Sequence, residues 1–363
     1  MKDLTSFFRE ESGSVAVIVG IALTLLLGCA ALAIDLGHLY VVKQELQNAA
    51  DAGSMAGADS LAPYLIVNGN TLIPNWDAAQ AVASTTTKEN KTDKTLITDC
   101  QVQAGYFNLL SKVLQSTAIT PTTVDVPAVR VTVSRVAGQN TGAVLPFIAQ
   151  VLGINFMNVS AQATAMLSCP STANRLSLFP VAVNKGVIQI LFNTSDGNPG
   201  SGLSQPFNIG SDYHYPDLDT GNNEVAGEWT SFFDQANDVP TIKNLINGSN
   251  PSPISISQLI QCVSDIWVQP GTKNSLYKDV ANAPNLVKAD GTGKTVFLPV
   301  VNLNSLDTHA WNPVYCYLPV KILDSVGKNQ KYIQVKLVNK AKMPSDNVGG
   351  PCYGAFSQPR IVQ

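Results

Sequence analysis

Residues 14–34 form an unbroken apolar stretch, SVAVIVGIALTLLLGCAALAI, which contains no charged side chain. At about 1.5 Å of rise per residue, a helix of this length spans roughly 30 Å, the thickness of the hydrocarbon core of a bilayer. No later stretch is as long and as apolar. The sequence therefore predicts a single transmembrane helix over residues 14–34, with a short head over residues 1–13 and the bulk of the chain on the other side.

A cleaved signal peptide is the alternative for this segment. The head carries Lys2 and Arg9, and Ala31-Leu32-Ala33 offers a small-x-small cleavage site. The apolar core of a signal peptide is usually about 7–15 residues, which is shorter than this stretch. The length favours a retained anchor, and a secreted, signal-peptide-cleaved binding module stays as the alternative.

The distribution of charge favours a cytoplasmic head and an extracytoplasmic bulk at the inner membrane. Only Lys and Arg count in the positive-inside rule, and Lys2 and Arg9 lie in the head. Charged residues make up only 13% of the chain, a composition common in cell-surface domains, and the net charge is −3. A nucleic-acid partner requires a basic patch, so this composition argues against one.

Five of the six cysteines follow the apolar stretch, and none forms a CxxC pair typical of a zinc site. In an oxidising compartment, five cysteines allow two disulfides and one free thiol. We predict a Cys100–Cys169 bond and a second bond within the set Cys262, Cys316 and Cys352, although spacing alone does not determine connectivity.

The helical pattern continues beyond the membrane face over residues 35–62, since no proline occurs until position 63. Two rows of small residues run along this helical extension at a spacing of four: Ala49, Gly53 and Gly57, and Ala52 and Ala56. Small residues at this spacing let helix backbones approach closely. The rows indicate either association with another membrane helix or tight packing within the same domain.

Three motifs occur in order around the apolar stretch. Gly13 precedes it, Asp35-Leu36-Gly37 follows it, and the extension contains Gln47-Asn48-Ala49-Ala50-Asp51-Ala52-Gly53. This pattern resembles the N-terminal region of the TadE/TadG-like Flp (tight-adherence) pilus-assembly family over residues 10–62. The resemblance implies a structural, non-enzymatic accessory or minor component of pilus assembly or surface adhesion. It implies other pilus-assembly or pilin-like membrane proteins and the lipid bilayer as partners, and no cofactor.

Two features depart from related proteins. Pilin-like members have a glutamate five residues after the cleaved glycine, where this chain has Ile18. Larger members often carry a von Willebrand A-like domain with an Asp-x-Ser-x-Ser metal motif, which this chain lacks. The first departure argues against processing by prepilin peptidase, and the second against a metal-dependent adhesion site of that type.

The residue patterns after the helix predict an α+β, pilin-like domain over residues 63–176. Residues 129–136 and 159–167 alternate like half-buried strands, and residues 143–152 have the pattern of a short amphipathic helix. This order also resembles Tad-like proteins. From position 177 to 363 we predict a separate β-rich extracytoplasmic domain with strands at 179–183, 187–192, 296–301, 315–322 and 332–338, and short helices at 241–246 and 256–263. The predicted fold class is α+β.

The remaining motifs do not favour catalysis. Residues 290–295 (DGTGKT) resemble the end of a P-loop, but the required earlier glycine is missing and a strand pattern follows, which indicates a turn. Residues 217–221 (DLDTG) only partly match a calcium loop. The three histidines show no nucleophile motif. We therefore expect no enzyme, no metal and no cofactor, and an envelope hydrolase is the weaker alternative.

Asp35 is the carboxylate of most interest, because it lies at the outer end of the apolar stretch, where burial in lipid is costly. It either ends the membrane segment at the interface or faces a partner and sets the register of neighbouring helices. Together with Gln47, Ala49, Asp51, Ala52, Gly53, Ala56 and Gly57, it makes up the predicted helix-association set.

Overall fold

The structure is a computed structural model that describes residues 4–61, 67–68, 71–72, 74–122, 124–173, 178–187, 205–216, 223–233, 235, 238–247, 254–255, 265–269, 273–283, 285–301, 309–338, 341–343 and 355–362. Four α-helices are described over their full length: α1 Leu4–Ser60, α2 Trp76–Lys88, α3 Val239–Ile246 and α4 Asn274–Asn282. A 3₁₀ turn covers Ala149–Leu152.

The strands in the described part of the chain are short in most cases. In chain order they are β1 Val67–Asn68, β2 Thr71–Leu72, β3 Lys91–Thr92, β4 Thr95–Leu96, β5 Gln101–Asn108, β6 Leu114–Gln115, β7 Asp125–Arg135, β8 Val159–Met166, β9 Thr172–Ala173, β10 Val181–Asn184, β11 Phe207–Ile209, β12 His214–Pro216, β13 Asn223–Val225, β14 Gly227–Phe232, β15 Ile254–Ser255, β16 Asp265–Val268, β17 Thr295–Val301, β18 Ala310–Val326, β19 Tyr332–Leu337, β20 Ala341–Lys342, β21 Ala355–Phe356 and β22 Arg360–Ile361.

Helix α1 runs without interruption for 57 residues, through the apolar stretch and into the folded part of the chain. Proline is missing from it, so no backbone N–H is lost and no kink is imposed. Its outer half packs with α2 on an antiparallel sheet of order β22-β8-β7-β5-β6. Helix α2 begins where Asn75 accepts a hydrogen bond from the backbone N–H of Ala78 at 3.0 Å, an N-cap. Two helices on one face of a sheet form the first unit.

The second unit is built on a seven-stranded sheet of order β11-β19-β18-β16-β14-β10-β17. Strand β17 also pairs with β18, so the pairings close a ring of β18, β16, β14, β10 and β17. Closure leaves these strands without free edges. The buried side chains of these strands include Trp229, Leu298, Val300 and Leu318.

The C-terminal end of the chain returns to the first unit. Strand β22 pairs with β8 with Arg360 opposite Met166, and the backbone N–H of Ser357 donates to the carbonyl of Ser168 at 2.8 Å. One continuous cluster of buried apolar side chains extends from α1 into the second sheet. The boundary expected near position 177 stays a prediction. The C-terminal strand β22, which follows that boundary in sequence, pairs with β8 of the first unit.

The predicted α+β class, with one long N-terminal helix and a β-rich remainder, is confirmed. The strands expected at 129–136, 159–167, 296–301 and 332–338 are present within a few residues, and β18 is longer than its prediction. The helix expected at 143–152 is wrong except for the 3₁₀ turn. Residue 187 is helical and not the start of a strand, and the rest of that prediction lies outside the described residues, as do residues 217–221 and 256–263.

The predicted Cys100–Cys169 disulfide is wrong, because Cys100 is a free thiol. Cys316 is also free, which excludes it from the second predicted bond, while Cys262 and Cys352 lie outside the described residues. Cys169 is disulfide-bonded. The sulfur of Cys100 instead lies beside α2, 3.7 Å from the hydroxyl oxygen of Ser84.

Strand β14 carries a buried carboxyl group, Glu228, which is 8% exposed. Burial raises its pKa from 4.5 to about 7, although the backbone N–H of Trp229 and the nearby Lys273 act in the opposite direction. A group whose pKa is higher in the folded state binds more protons there, so the stability that it contributes is lost as the pH rises from about 4.5 to 7. Glu228 therefore destabilises the fold at neutral pH.

We expect Glu228→Gln to increase the free energy of unfolding at pH 8 by up to about 3 kcal/mol, and to change it little at pH 4. Thermal unfolding of both proteins across this pH range measures the difference. Glu89→Gln, at an exposed carboxylate, is the matched control and should leave the pH profile unchanged. A stability gain of equal size at both pH values would contradict the assignment.

Candidate functional site: the junction between the apolar helix and its domain

The apolar part of α1 is exposed from Val15 to Ile34, with only Ala31 half-buried. Its side chains are largely exposed, including Val15 at 57%, Leu26 at 67% and Ile34 at 53%. In the described residues this is the one helix that is long and apolar enough to cross a membrane. A fully exposed apolar helix is unfavourable in water and favourable in lipid, so the junction begins where α1 leaves this segment.

From Val15 onward, Asp35 is the first residue of α1 that is buried, with 3% of its surface exposed. Its carboxylate accepts hydrogen bonds from three consecutive backbone N–H groups: Phe147 at 2.6 Å, Ile148 at 3.2 Å to each oxygen, and Ala149 at 2.7 Å. These groups lie at the start of the 3₁₀ turn, whose first N–H groups have no partners of their own. Asp35 thus caps a loop that lies more than a hundred positions later in sequence.

The protonation state of Asp35 follows from these contacts. Burial on its own would raise the pKa of the carboxyl group, but the N–H groups of Ala149, Phe147 and Ile148, helped by His38, outweigh burial, and the pKa falls below its ordinary value. A carboxylate that accepts several backbone N–H groups stays ionised well into the acid range. The junction therefore depends on a charged Asp35 at neutral pH.

A second group of contacts holds the same end of α1. The His38 ring lies 4.8 Å from the ring of Phe147, and its Nε2 is 3.5 Å from Asp93 Oδ1. The backbone N–H of Asp93 donates to Glu45 Oε2 at 2.7 Å. Arg135 donates from Nε to the carbonyl of Gly142 at 2.7 Å, which braces the start of the loop. The sequence did not predict this network, because the partners of His38 are distant from it in sequence.

The row formed by Ala49, Gly53 and Gly57 faces the interior of the same chain. A Cβ at Gly57 would lie 2.8 Å from Ala83 Cβ and 3.0 Å from Val129 Cγ1, and one at Gly53 would overlap Thr87 Oγ1. These glycines let α1 approach α2 and β7 more closely than any larger residue allows. This arrangement is the second of the two interpretations that the spacing left open.

The other predicted association residues are less buried. Gln47 donates from Nε2 to Asp51 Oδ1 at 2.8 Å and to the carbonyl of Gln162 at 3.2 Å, which ties α1 to β8. Ala52 and Ala56 are half-buried. The structure thus brings Asp35, the Gln47–Asp51 pair and the buried row onto the side of α1 that meets its own domain.

The described residues contain no group of three or more His, Cys, Asp or Glu side chains that could hold a metal ion. Residues 290–294 form a turn in which Asp290 accepts from the backbone N–H of Thr292 at 2.9 Å, directly before β17. The strand after this turn is the arrangement that the sequence indicated in place of a P-loop.

Comparison with known proteins identifies the N-terminal part of the chain. The model of a family described as Flp pilus-assembly TadE/G-like matches residues 13–60, and that of a family described as Tad-like Flp pilus-assembly matches residues 67–165. No curated protein and no solved structure matches the chain significantly. The matched regions contain most of α1, all of α2, the strands β5 to β7 and the junction at Asp35, so the resemblance predicted from the motifs is confirmed.

Proposed function

We propose that this chain, which matches the TadE/G-like model over residues 13–60 and the Tad-like model over residues 67–165, is a membrane-anchored accessory or minor component of a Flp (Tad) pilus. The observation that carries the proposal is the single helix α1, which joins an exposed apolar segment to a folded domain without a break. In this role the chain acts structurally. It positions its domain next to the membrane for contact with other pilus components.

The capping of the loop by Asp35 supports such a structural role. Three backbone hydrogen bonds to one buried carboxylate hold the domain at a fixed place on α1, immediately beyond the apolar segment. Hydrogen bonds to a charged acceptor are stronger than neutral ones. A force or a lateral contact at the membrane helix would therefore be passed to the domain through a stiff connection.

The proposed topology has the head of residues 1–13 in the cytoplasm and the domain outside. The positive-inside rule supports this orientation through Lys2 and Arg9. The disulfide-bonded state of Cys169 supports it independently, since disulfides persist in oxidising, extracytoplasmic compartments. Contact with an external target during adhesion belongs to the same proposal.

The proposal is tested by deleting the gene and complementing the deletion with variants. We expect the deletion to reduce surface filaments and adhesion, and the natural sequence to restore both. Leu25→Arg combined with Leu26→Arg should fail to restore them, because each arginine at a helix centre costs about 2.5–3.5 kcal/mol of membrane insertion. Leu110→Arg, at an exposed position of the domain, is the control. Normal filaments and adhesion after deletion would refute the proposal.

A retained anchor also predicts the mass of the mature protein. Intact mass spectrometry of the protein purified from membranes should show that residues 14–34 are present. A mature chain that begins at Ile34, recovered from the soluble fraction, would instead support the secreted form. This measurement is independent of any assay of filaments.

Helix association remains part of the proposal, and it is restricted to the part of α1 that the domain leaves open. Ala52 and Ala56 are half-buried beside the exposed Met55, whereas Ala49 is fully buried. Oxidative crosslinking in cell envelopes should therefore join Ala52→Cys or Ala56→Cys to a partner, above the background of the parent cysteines. Ala49→Cys is the matched control and should give no crosslink. Equal crosslinking at all three positions would count against a defined interface.

A further inference from the structure

The loop between β7 and β8 carries four large apolar side chains that are exposed. Leu145 is 62% exposed, Phe147 65%, Ile154 45% and Phe156 65%. We name residues 143–157 the juxtamembrane loop. An exposed apolar cluster of this kind is uncommon on a soluble surface and usually marks an interaction site.

The position of the juxtamembrane loop follows from two contacts with α1. Asp35 holds Phe147 and Ala149 next to the end of the apolar segment, and Gln47 contacts the carbonyl of Gln162 in β8. Gln47 lies twelve positions after Asp35 on the same helix, which is about 18 Å along the axis. Strands β7 and β8 therefore run beside α1, and the loop that connects them lies at the end nearest the membrane.

The backbone pairing of the loop places two of these apolar side chains beyond its last hydrogen-bonded pair. Val144 and Met157 form an antiparallel bridge with two hydrogen bonds of 2.9 Å, and Leu145 and Phe156 are the next residues beyond that bridge. From position 136 to 174 the sequence contains no charged residue. Burying the loop in a lipid interface would therefore remove no ionised side chain from water, which is the main cost of such burial.

We propose that the juxtamembrane loop inserts Leu145, Phe147, Ile154 and Phe156 into the outer interface of the bilayer, as a second membrane contact beside the apolar helix. The occupant is lipid, because the hydrogen bonds to Asp35 hold the loop beside the end of the apolar segment. The inference rests on the membrane anchoring in the proposed function. Aromatic and aliphatic side chains at an interface gain free energy by leaving water, and two contacts restrict the tilt of the domain where one helix would not.

The experiment uses the full chain in phospholipid vesicles with the photoreactive residue p-benzoylphenylalanine at single positions. Phe147 and Phe156 are replaced in turn, since the probe keeps the phenyl ring. Leu110 is the control, because it is 78% exposed and follows β5 near the other end of the sheet, where Asn108 pairs with Asp125. That end lies roughly 30 Å from the loop, as the length of β7 requires. A probe at Leu25 reports on the anchor itself.

Mass spectrometry after irradiation should show lipid adducts at positions 147 and 156 several-fold above those at position 110, together with adducts at position 25. Adducts at position 25 without excess at 147 and 156, or crosslinks from these two positions to a second protein, would overturn the lipid contact and leave the anchor intact. Lack of lipid adducts at position 25 would overturn the anchor and the loop contact with it. Equal labelling at position 110 would also overturn the inference.

Discussion

Replacing Asp35 with alanine is expected to detach the juxtamembrane loop from α1 and to lower the free energy of unfolding by about 3 kcal/mol or more. The carboxylate accepts from the N–H groups of Phe147, Ile148 and Ala149, and its removal leaves these three part-buried donors without their acceptor. Each hydrogen bond to a charged group contributes about 1.5–3 kcal/mol, and losing the shared acceptor affects all three together.

Hydrogen exchange measured by mass spectrometry gives the local readout. Peptides that cover residues 144–152 should exchange much faster in Asp35→Ala, and at an intermediate rate in Asp35→Asn, which keeps one oxygen but loses the charge. Asp51→Asn is the matched control on the same helix, because Asp51 is half-buried and accepts from Gln47 alone among the contacts described. Gln47 and Asp51 form an i, i+4 pair on one helix, and such pairs contribute little, so the effect should be below about 1 kcal/mol. Unchanged exchange at residues 144–152 in Asp35→Ala would show that the loop is held by other contacts.

The same carboxylate predicts the pH dependence of the junction. The pKa of Asp35 is lower in the folded state than in the unfolded state, so its stabilisation is present above the unfolded value and is lost as the pH falls through the folded value. Exchange of residues 144–152, corrected for the intrinsic pH dependence of amide exchange, should therefore accelerate in strong acid in the natural protein. Asp35→Asn should lack this acid transition. A transition of equal size in both proteins would assign it to another group.

Local pattern was sufficient to predict α1, β7 and β8. The lack of proline before position 63 and the continuous helical spacing predicted one long helix, and alternation predicted both strands. These features depend on interactions within a few residues or on one buried face, and both leave a periodic signal in the sequence. Strand β18 extends five residues before and four residues after the predicted range 315–322, whose centre is buried on both faces.

Contacts between distant segments could not be predicted in the same way. Residues 143–152 have a helical pattern, yet the backbone N–H groups at 147–149 are directed to Asp35, and only the short 3₁₀ turn follows. The signal that was available is the long charge-free run from position 136 to 174, which marks the loop as unusual for a soluble surface. It gives no indication that Asp35 is the partner.

The small-residue row shows the same limit from another side. Ala49, Gly53 and Gly57 offer a flat helix surface, and a flat surface suits α2 of the same chain as well as a helix of another protein. Spacing cannot distinguish the two, because the geometry of close helix approach is identical. In the structure α2 and β7 occupy this surface.

Replacing Gly57 with leucine is expected to separate α1 from α2 and to lower the free energy of unfolding by at least about 2–3 kcal/mol. Even the first added atom would lie 2.8 Å from Ala83 Cβ and 3.0 Å from the carbonyl oxygen of Ala79, so the helices must move apart. Overpacking of a close contact typically costs about 1–3 kcal/mol, and a leucine adds three further atoms. The helix propensity gained by removing glycine, about 1 kcal/mol, offsets only part of this cost.

Gly37→Leu is the matched control, since it makes the same substitution on the same helix at a site where nothing lies within 4 Å of the added Cβ. It should keep or slightly raise the melting temperature, while Gly57→Leu lowers it and speeds hydrogen exchange over α2. The pair also separates the two interpretations of the small-residue row. If the row served another protein, Gly57→Leu would leave the isolated chain stable and affect only its assembly. A stable Gly57→Leu chain with slow exchange over α2 would therefore show that the close approach within the domain is not required for folding.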